Sequence, residues 1–428
     1  MSNEQLAISN ESQTRQMKDS GVEWIGEIPA QWDVSTINSL YTLRNQKVSD
    51  RDYLPLSVTM KGIVPQLETA AKTDAHDDRK LVKKGDFAIN SRSDRRGSCG
   101  ISNYDGSVSL INTVLTPRGE MHPVYYNWLF HSARFADEFY RWGHGIVDDL
   151  WTTRWQEMRN ITIPVPEYAV QQTIADYLDR KCTQIDTLIA NQQQQIAKLK
   201  AYKQSVITET VTKGLNPDVP MKYSGVEWIG EIPEHWTIAP IRSLFRIKKD
   251  IIGHEPETVL SITQNGLKVK DITENSGQMA NSYDHYQIVN IGDFAMNHMD
   301  LLTGGVGISE FEGVTSPDYR VFVMRNKKMN PRYFLYIFQM YYRNKIFYAF
   351  GQGAANLGRW RLPAQNFNTI AIPLAPITEQ NEIVSLLDKK CEQIDRLIAI
   401  KQQKIEKIQQ YKKSVIYEYV TGKREVST

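Results

Sequence analysis

Two stretches of the chain carry apolar residues at spacings of three and four, the repeat of one helical face. Ile174, Leu178, Ile185, Leu188, Ile189, Ile196, Leu199, Tyr202 and Val206 mark the first stretch. Ile383, Leu387, Ile394, Leu397, Ile398, Ile405, Ile408, Tyr411 and Val415 mark the second. Each predicts a long amphipathic helix of about 40 residues, roughly 60 Å at 1.5 Å per residue. Such a helix needs a partner for its stripe, and the other run supplies one. Gln192-Gln193-Gln194-Gln195 interrupts the first stripe and reads as a solvated patch, with a polar contact surface for another subunit as the alternative. Elsewhere short β-type runs, such as Phe87-Ala88-Ile89 and Tyr319-Arg320-Val321-Phe322-Val323, alternate with Gly- and Asn-rich turns. A shorter helix is expected at residues 125–130 and again at 333–338, opened by His122-Pro123 and Asn330-Pro331.

The pattern is duplicated. SGVEWIGEIP stands at residues 20–29 and recurs, identical, at 224–233. Trp32 returns as Trp236, Gly85-Asp86-Phe87-Ala88 as Gly292-Asp293-Phe294-Ala295, and Ile163-Pro164 as Ile372-Pro373. Within the helical runs, residues 179–186 match 388–395 and residues 202–207 match 411–416. Residues 92–116, by contrast, share little with 299–323. The chain therefore reads as two copies of one unit, alike at the edges and different in the middle. The expected fold is mixed α/β: two repeated globular domains separated by two long helices that pair as an antiparallel coiled coil with pseudo-two-fold symmetry. The expected segments are a disordered tail at 1–16, a first domain at 17–166 and a helical spacer at 167–214. A second domain at 215–375, a second spacer at 376–422 and a tail at 423–428 follow. Trp32 and Trp236, which end the Ile-Pro-x-x-Trp segments, read as core anchors.

At 428 residues the chain is too long for one core. No run approaches the ~18 apolar residues of a membrane span, and the polar start lacks a signal region, so a cytoplasmic protein without membrane attachment is expected. Cys182 and Cys391 hold equivalent places and read as buried helix positions rather than metal ligands. A net charge of +2 excludes a uniformly basic coat but leaves room for local basic patches.

Catalytic signatures fail. There is no Gly-x-x-x-x-Gly-Lys-Ser/Thr loop for ATP. Asn330-Pro331-Arg332-Tyr333 and Phe350-Gly351-Gln352-Gly353 only approximate the motifs of a DNA adenine methyltransferase, and read as a helix cap and a glycine turn. Pro317-Asp318 lacks a nearby partner for a nuclease site, and the eight histidines form no ligand cluster, so neither a catalytic nor a metal site is expected. What remains is contact chemistry in the divergent middles. Arg92, Arg95 and Arg96 lie in a Gly/Ser-rich stretch suited to phosphates or guanine edges. His144 and Arg154 follow in the first copy, beside Trp151 and Trp155. The second copy offers Lys268, Lys270, His298, Arg320, Gln352, Asn356, Arg359 and Arg361.

With these residues in hand, the chain resembles the specificity subunit of a type I restriction-modification system. The likeness rests on residues 24–29 with Trp32, on Gly85-Asp86-Phe87, on Ile163-Pro164-Val165-Pro166 running into Gln171-Gln172, and on residues 179–189. Each has a counterpart in the second copy, ending in Ile372-Pro373-Leu374-Ala375-Pro376 and Glu379-Gln380. The resemblance implies two target recognition domains, each reading half of a bipartite, non-palindromic site in double-stranded DNA, with helices that set the spacing. It also implies a non-catalytic chain. Two methyltransferase subunits and the restriction (motor and nuclease) subunits would be its partners, and AdoMet, ATP and Mg²⁺ would belong to them. The rival readings are a self-contained DNA methyltransferase or nuclease, and a two-headed DNA-binding regulator or adaptor without modification partners.

Overall fold

Gly85-Asp86-Phe87-Ala88 and its repeat form the same turn-to-strand device. Gly85 and Gly292 take φ of 89° and 87°, a left-handed conformation that a side chain would strain. Asp86 then accepts the Lys83 backbone N–H at 2.8 Å, and Asp293 accepts that of Asn290 at 2.9 Å, which closes each turn. A cation completes each carboxylate: Arg44 Nε at 2.6 Å in the first copy, Lys248 Nζ at 2.7 Å in the second. Phe87 and Phe294 then enter the cores, so this repeated motif is framework.

The computed structural model describes residues 15–66, 76–92, 95–145, 151–264, 266–271, 282–353 and 360–426. It falls into two units, one made of residues 1–193 with 402–428 and the other of 194–401. The first holds a four-stranded antiparallel sheet in the order Cys99–Ile101, Phe87–Asn90, Asn112–Pro117, Tyr41–Leu43. The second repeats it with Val306–Ile308, Phe294–Met296, Arg320–Met324 and Phe245–Lys248. The helices Pro123–Phe130 and Pro331–Arg343 share the aromatic cores of their sheets, with Phe87 and Phe130 centroids 4.8 Å apart and Phe322 and Phe338 5.4 Å apart. The divergent middles thus share one strand order: sequence drift there left the sheet intact.

The two long helices are Tyr168–Lys213 and Ile377–Val420. A buried glutamine fixes the start of each. Gln171 donates to Pro166 O at 2.7 Å and accepts the His122 N–H at 2.8 Å. Gln380 donates to Ala375 O at 2.9 Å and accepts the Asn330 N–H at 3.0 Å. Within the first unit Tyr177 meets Tyr419 and Asp186 meets Lys412, so the helix segments run antiparallel. Within the second unit Gln195 meets Lys401 and Lys203 meets Asp395, with the same polarity.

Of the fourteen expected pairing residues, Ile174, Leu178, Ile185, Ile196, Val206, Ile383, Leu387, Ile394, Ile405 and Val415 are buried, and Ile189, Leu199, Ile398 and Ile408 are half-buried. Four members of the apolar runs are corrected by the structure. Leu188, Tyr202, Leu397 and Tyr411 are exposed, because the inner face follows the alternating four-three steps of 178, 182, 185, 189, 192, 196, 199, 203 and 206, and these four fall outside it. Gln192 and its counterpart Lys401 occupy that face and are half-buried, so the solvated patch begins only at Gln193. Cys182 and Cys391 are buried and free.

Trp32 and Trp236 anchor the cores, as expected, while Trp228 is 40 % exposed although its counterpart Trp24 is buried. Each anchor packs against the glycine that ends a long helix. Gly214, with φ of 78°, faces Trp236, and Gly422, with φ of 70°, faces Trp32 and Pro29. The first unit is therefore completed by the end of the second long helix. Residues 1–14 of the expected tail lie outside the described residues, while Gln16 already accepts the Ala30 N–H at 2.9 Å.

Candidate nucleic-acid interface

Strand register identifies equivalent positions in the two units. Val114 stands opposite Ala88 and Val321 opposite Ala295, so Thr113 corresponds to Arg320 and Ser91 to His298. The backbone confirms it: Ser91 O accepts the Thr153 N–H at 3.0 Å and His298 O accepts that of Leu362 at 2.8 Å. One frame thus carries two unlike side-chain pairs.

In the first unit the pair is neutral. Ser91 and Thr113 hydroxyls lie 3.0 Å apart and satisfy each other. The space beside them, among Ile89, Phe139, Tyr140 and Trp151, holds only about 20 Å³. Around it the structure gathers several expected residues. The Arg92 and His144 backbones both pair with Thr152. The Arg96 guanidinium lies 4.7 Å over Tyr140 and 2.7 Å from Asp137. Arg95 closes the same turn, and Arg154, two residues beyond Thr152, starts a short helix whose Glu157 accepts its backbone N–H at 3.0 Å. The side chains of Arg92, Arg95, Arg96, His144 and Arg154 are exposed.

Trp151 is not. Its indole stacks on Tyr140, donates to Tyr140 O at 2.8 Å and covers Gly143. Trp360 does the same with Tyr348 and Gly351. These tryptophans are hairpin braces, and a Cβ on either glycine would sit about 2.4 Å from the indole.

In the second unit a cleft of about 570 Å³ opens beside His298 and Arg320. Lys249, Gln287, His298, Tyr319, Arg320 and Arg361 line it, and the Gln352 backbone pairs with that of Arg361 at its rim. His298 and Arg320 are each only 5 % exposed. Arg320 Nη2 donates to Leu362 O at 2.8 Å and its guanidinium lies 4.7 Å over Phe367. Burial, then the cations Arg320, Arg361 and Lys249, push the His298 imidazole down to about 3, so it is neutral at pH 7. Burial likewise lowers Arg320, to about 10, which leaves it charged.

Lys268 and Lys270 lie on or just past the hairpin strand Gly266–Val269 and do not line this cleft. Asn356 and Arg359 lie outside the described residues. Lys249, Gln287 and Tyr319 were not singled out in the sequence. The signal for Lys249 was available: in Lys248-Lys249 at a strand end, alternation buries one lysine against Asp293 and turns the other outward.

Residues 233–410 match the family model described as the type I restriction modification DNA specificity domain. The MjaX type I restriction enzyme specificity subunit of Methanocaldococcus jannaschii, provisionally so named, is 24% identical over 436 residues, covering 94% of this chain and 96% of its own. The MjaVIII type I restriction enzyme specificity subunit of the same organism is 26% identical over 321 residues, 69% of each chain. A chain from a solved structure concerning complex assembly and conformational transition of the type I R-M system superposes with a TM-score of 0.67 at 10% identity, covering 92% of this chain and 98% of that one.

Proposed function

We infer that this chain, which belongs to the type I restriction-modification specificity-subunit family, is the sequence-reading subunit of such a system, each unit addressing one half of an asymmetric, two-part DNA site. The observation that carries this reading is that one repeated sheet frame presents unlike surfaces in the two units, exposed arginines in one and an open cleft in the other. Identical faces would read a palindrome; unlike faces read unlike half-sites.

Exposed arginines and the His144 imidazole in the first unit, and the cationic cleft in the second, supply donors for phosphates and base edges. The chain itself performs no bond-making. Methyl transfer and cleavage fall to partner subunits, which bring AdoMet, ATP and Mg²⁺. Two methyltransferase subunits suit the duplicated surface of the helices: exposed Leu188 and Tyr411 in one unit, exposed Leu397 and Tyr202 in the other, offer the same apolar pair twice.

Methylation-site sequencing of a host carrying this subunit and its partners tests the reading. The expected result is two specified parts separated by unspecified base pairs, and a contiguous palindrome would overturn it. Inserting seven residues into both long helices, after Gln192 and after Lys401, keeps the four-three pattern and adds about 10 Å of helix. The gap should lengthen by about three base pairs at 3.4 Å each, with both half-sites unchanged. AdoMet binding by the purified chain alone would instead favour a self-contained methyltransferase.

A further inference from the structure

We propose that the cleft between His298, Arg320 and Arg361 is an oxyanion pocket that takes one backbone phosphate of bound DNA and anchors the second unit on the duplex. The proposal rests on the DNA-reading function above and gives this site a role that carries affinity rather than sequence information.

Three observations carry it. First, Lys249, Arg320 and Arg361 line the cleft, and none of the described residues lining it is a carboxylate. Second, two polar atoms of buried side chains here, His298 Nδ1 and Arg320 Nη1, have no hydrogen-bond partner among the described residues. Buried polar atoms are nearly always satisfied, and leaving one unmet costs about 1–3 kcal/mol, so a ligand that supplies acceptors is the economical explanation. Arg320 is held ready for it by Leu362 O and the Phe367 ring. Third, His298 and Arg320 are recessed. A base edge lies inside a groove and is met by side chains that protrude, whereas phosphates are the outermost groups of a duplex and can enter a protein cleft.

At the register positions of His298 and Arg320 the first unit carries Ser91 and Thr113, which satisfy each other. The buried imidazole–guanidinium pair is therefore particular to the second unit.

The test uses the full chain, a duplex of unrelated sequence and the cognate duplex identified by methylation-site sequencing, titrated with salt. Arg361→Gln, at an exposed position, should reduce the slope of log affinity against log salt by about 0.9 and weaken both duplexes by the same factor. His298→Gln should weaken both equally too. Calorimetry with inorganic phosphate should show one saturable site on the wild type that Arg361→Gln removes. An unchanged salt slope, or a loss confined to the cognate duplex, overturns the phosphate assignment alone and makes Arg361 a base reader. A wild-type chain that binds no duplex overturns the DNA-reading function as well.

Discussion

Lys203 Nζ donates to both carboxylate oxygens of Asp395, at 2.8 and 2.7 Å. Lys412 holds Asp186 in the same way, at 2.6 and 2.7 Å. Lys203 and Lys412 are repeat equivalents, as are Asp186 and Asp395, so one cross-helix contact appears once in each unit. An antiparallel pair of equivalent helices must produce such reciprocal contacts.

Because both Lys203–Asp395 groups are partly exposed, the pair contributes little, about 0.2–1 kcal/mol. A double-mutant cycle of Lys203→Ala and Asp395→Ala, read by urea unfolding of the full chain, should return a coupling in that range. Coupling of Lys203 with Asp186 instead would contradict the register.

Gly422→Ala should destabilise the first unit by at least about 1–2 kcal/mol, because alanine is strained at positive φ. Its Cβ would also lie 2.5 Å from Pro29 Cδ. Gly21 has φ of 72° but open space around its Cβ, so Gly21→Ala should cost less. Unfolding midpoints of the two variants decide the order.

Gln380→Ala removes the acceptor of the Asn330 N–H and the donor to Ala375 O. Stability should fall by about 1–3 kcal/mol. Hydrogen exchange of the Asn330 amide should accelerate more than that of the Phe322 amide in the central sheet; equal acceleration would mean that the clamp is not local.

His298 is held at about 3 in the folded chain against 6.5 when unperturbed. Between those values the unfolded chain binds a proton that the folded chain refuses, so stability is full above pH 6.5 and falls as pH drops towards 3. Arg320, Arg361 and Lys249 are the cations that act on the ring. His298→Gln should flatten that part of the profile; an unchanged slope in pH-dependent unfolding would show that His298 protonates freely.

Much of this molecule is legible in its residues. Repetition of SGVEWIGEIP and of Gly-Asp-Phe-Ala announces two copies, since turn glycines and buried aromatics are local necessities. The four-three spacing announces the long helices, because it is the geometry of a helical face. The exact inner face was less visible: Leu188 and Tyr411 look like stripe members, and only the pairing shows that they lie off it.

The cleft is a different matter. Sheet register sets Arg320 beside the strand that leads to His298, and the Leu362 N–H bonded to His298 O brings Arg361 alongside. Gly422 reaches Trp32 from the far end of the chain. The amino-acid sequence by itself determined the repeat and the helices and carried the family resemblance, because those depend on local periodicity and on motifs compared within one chain. Tertiary structure alone decided which basic groups converge and which helix end completes which unit, because side chains far apart in sequence acquire a common environment only when the backbone that carries them has packed.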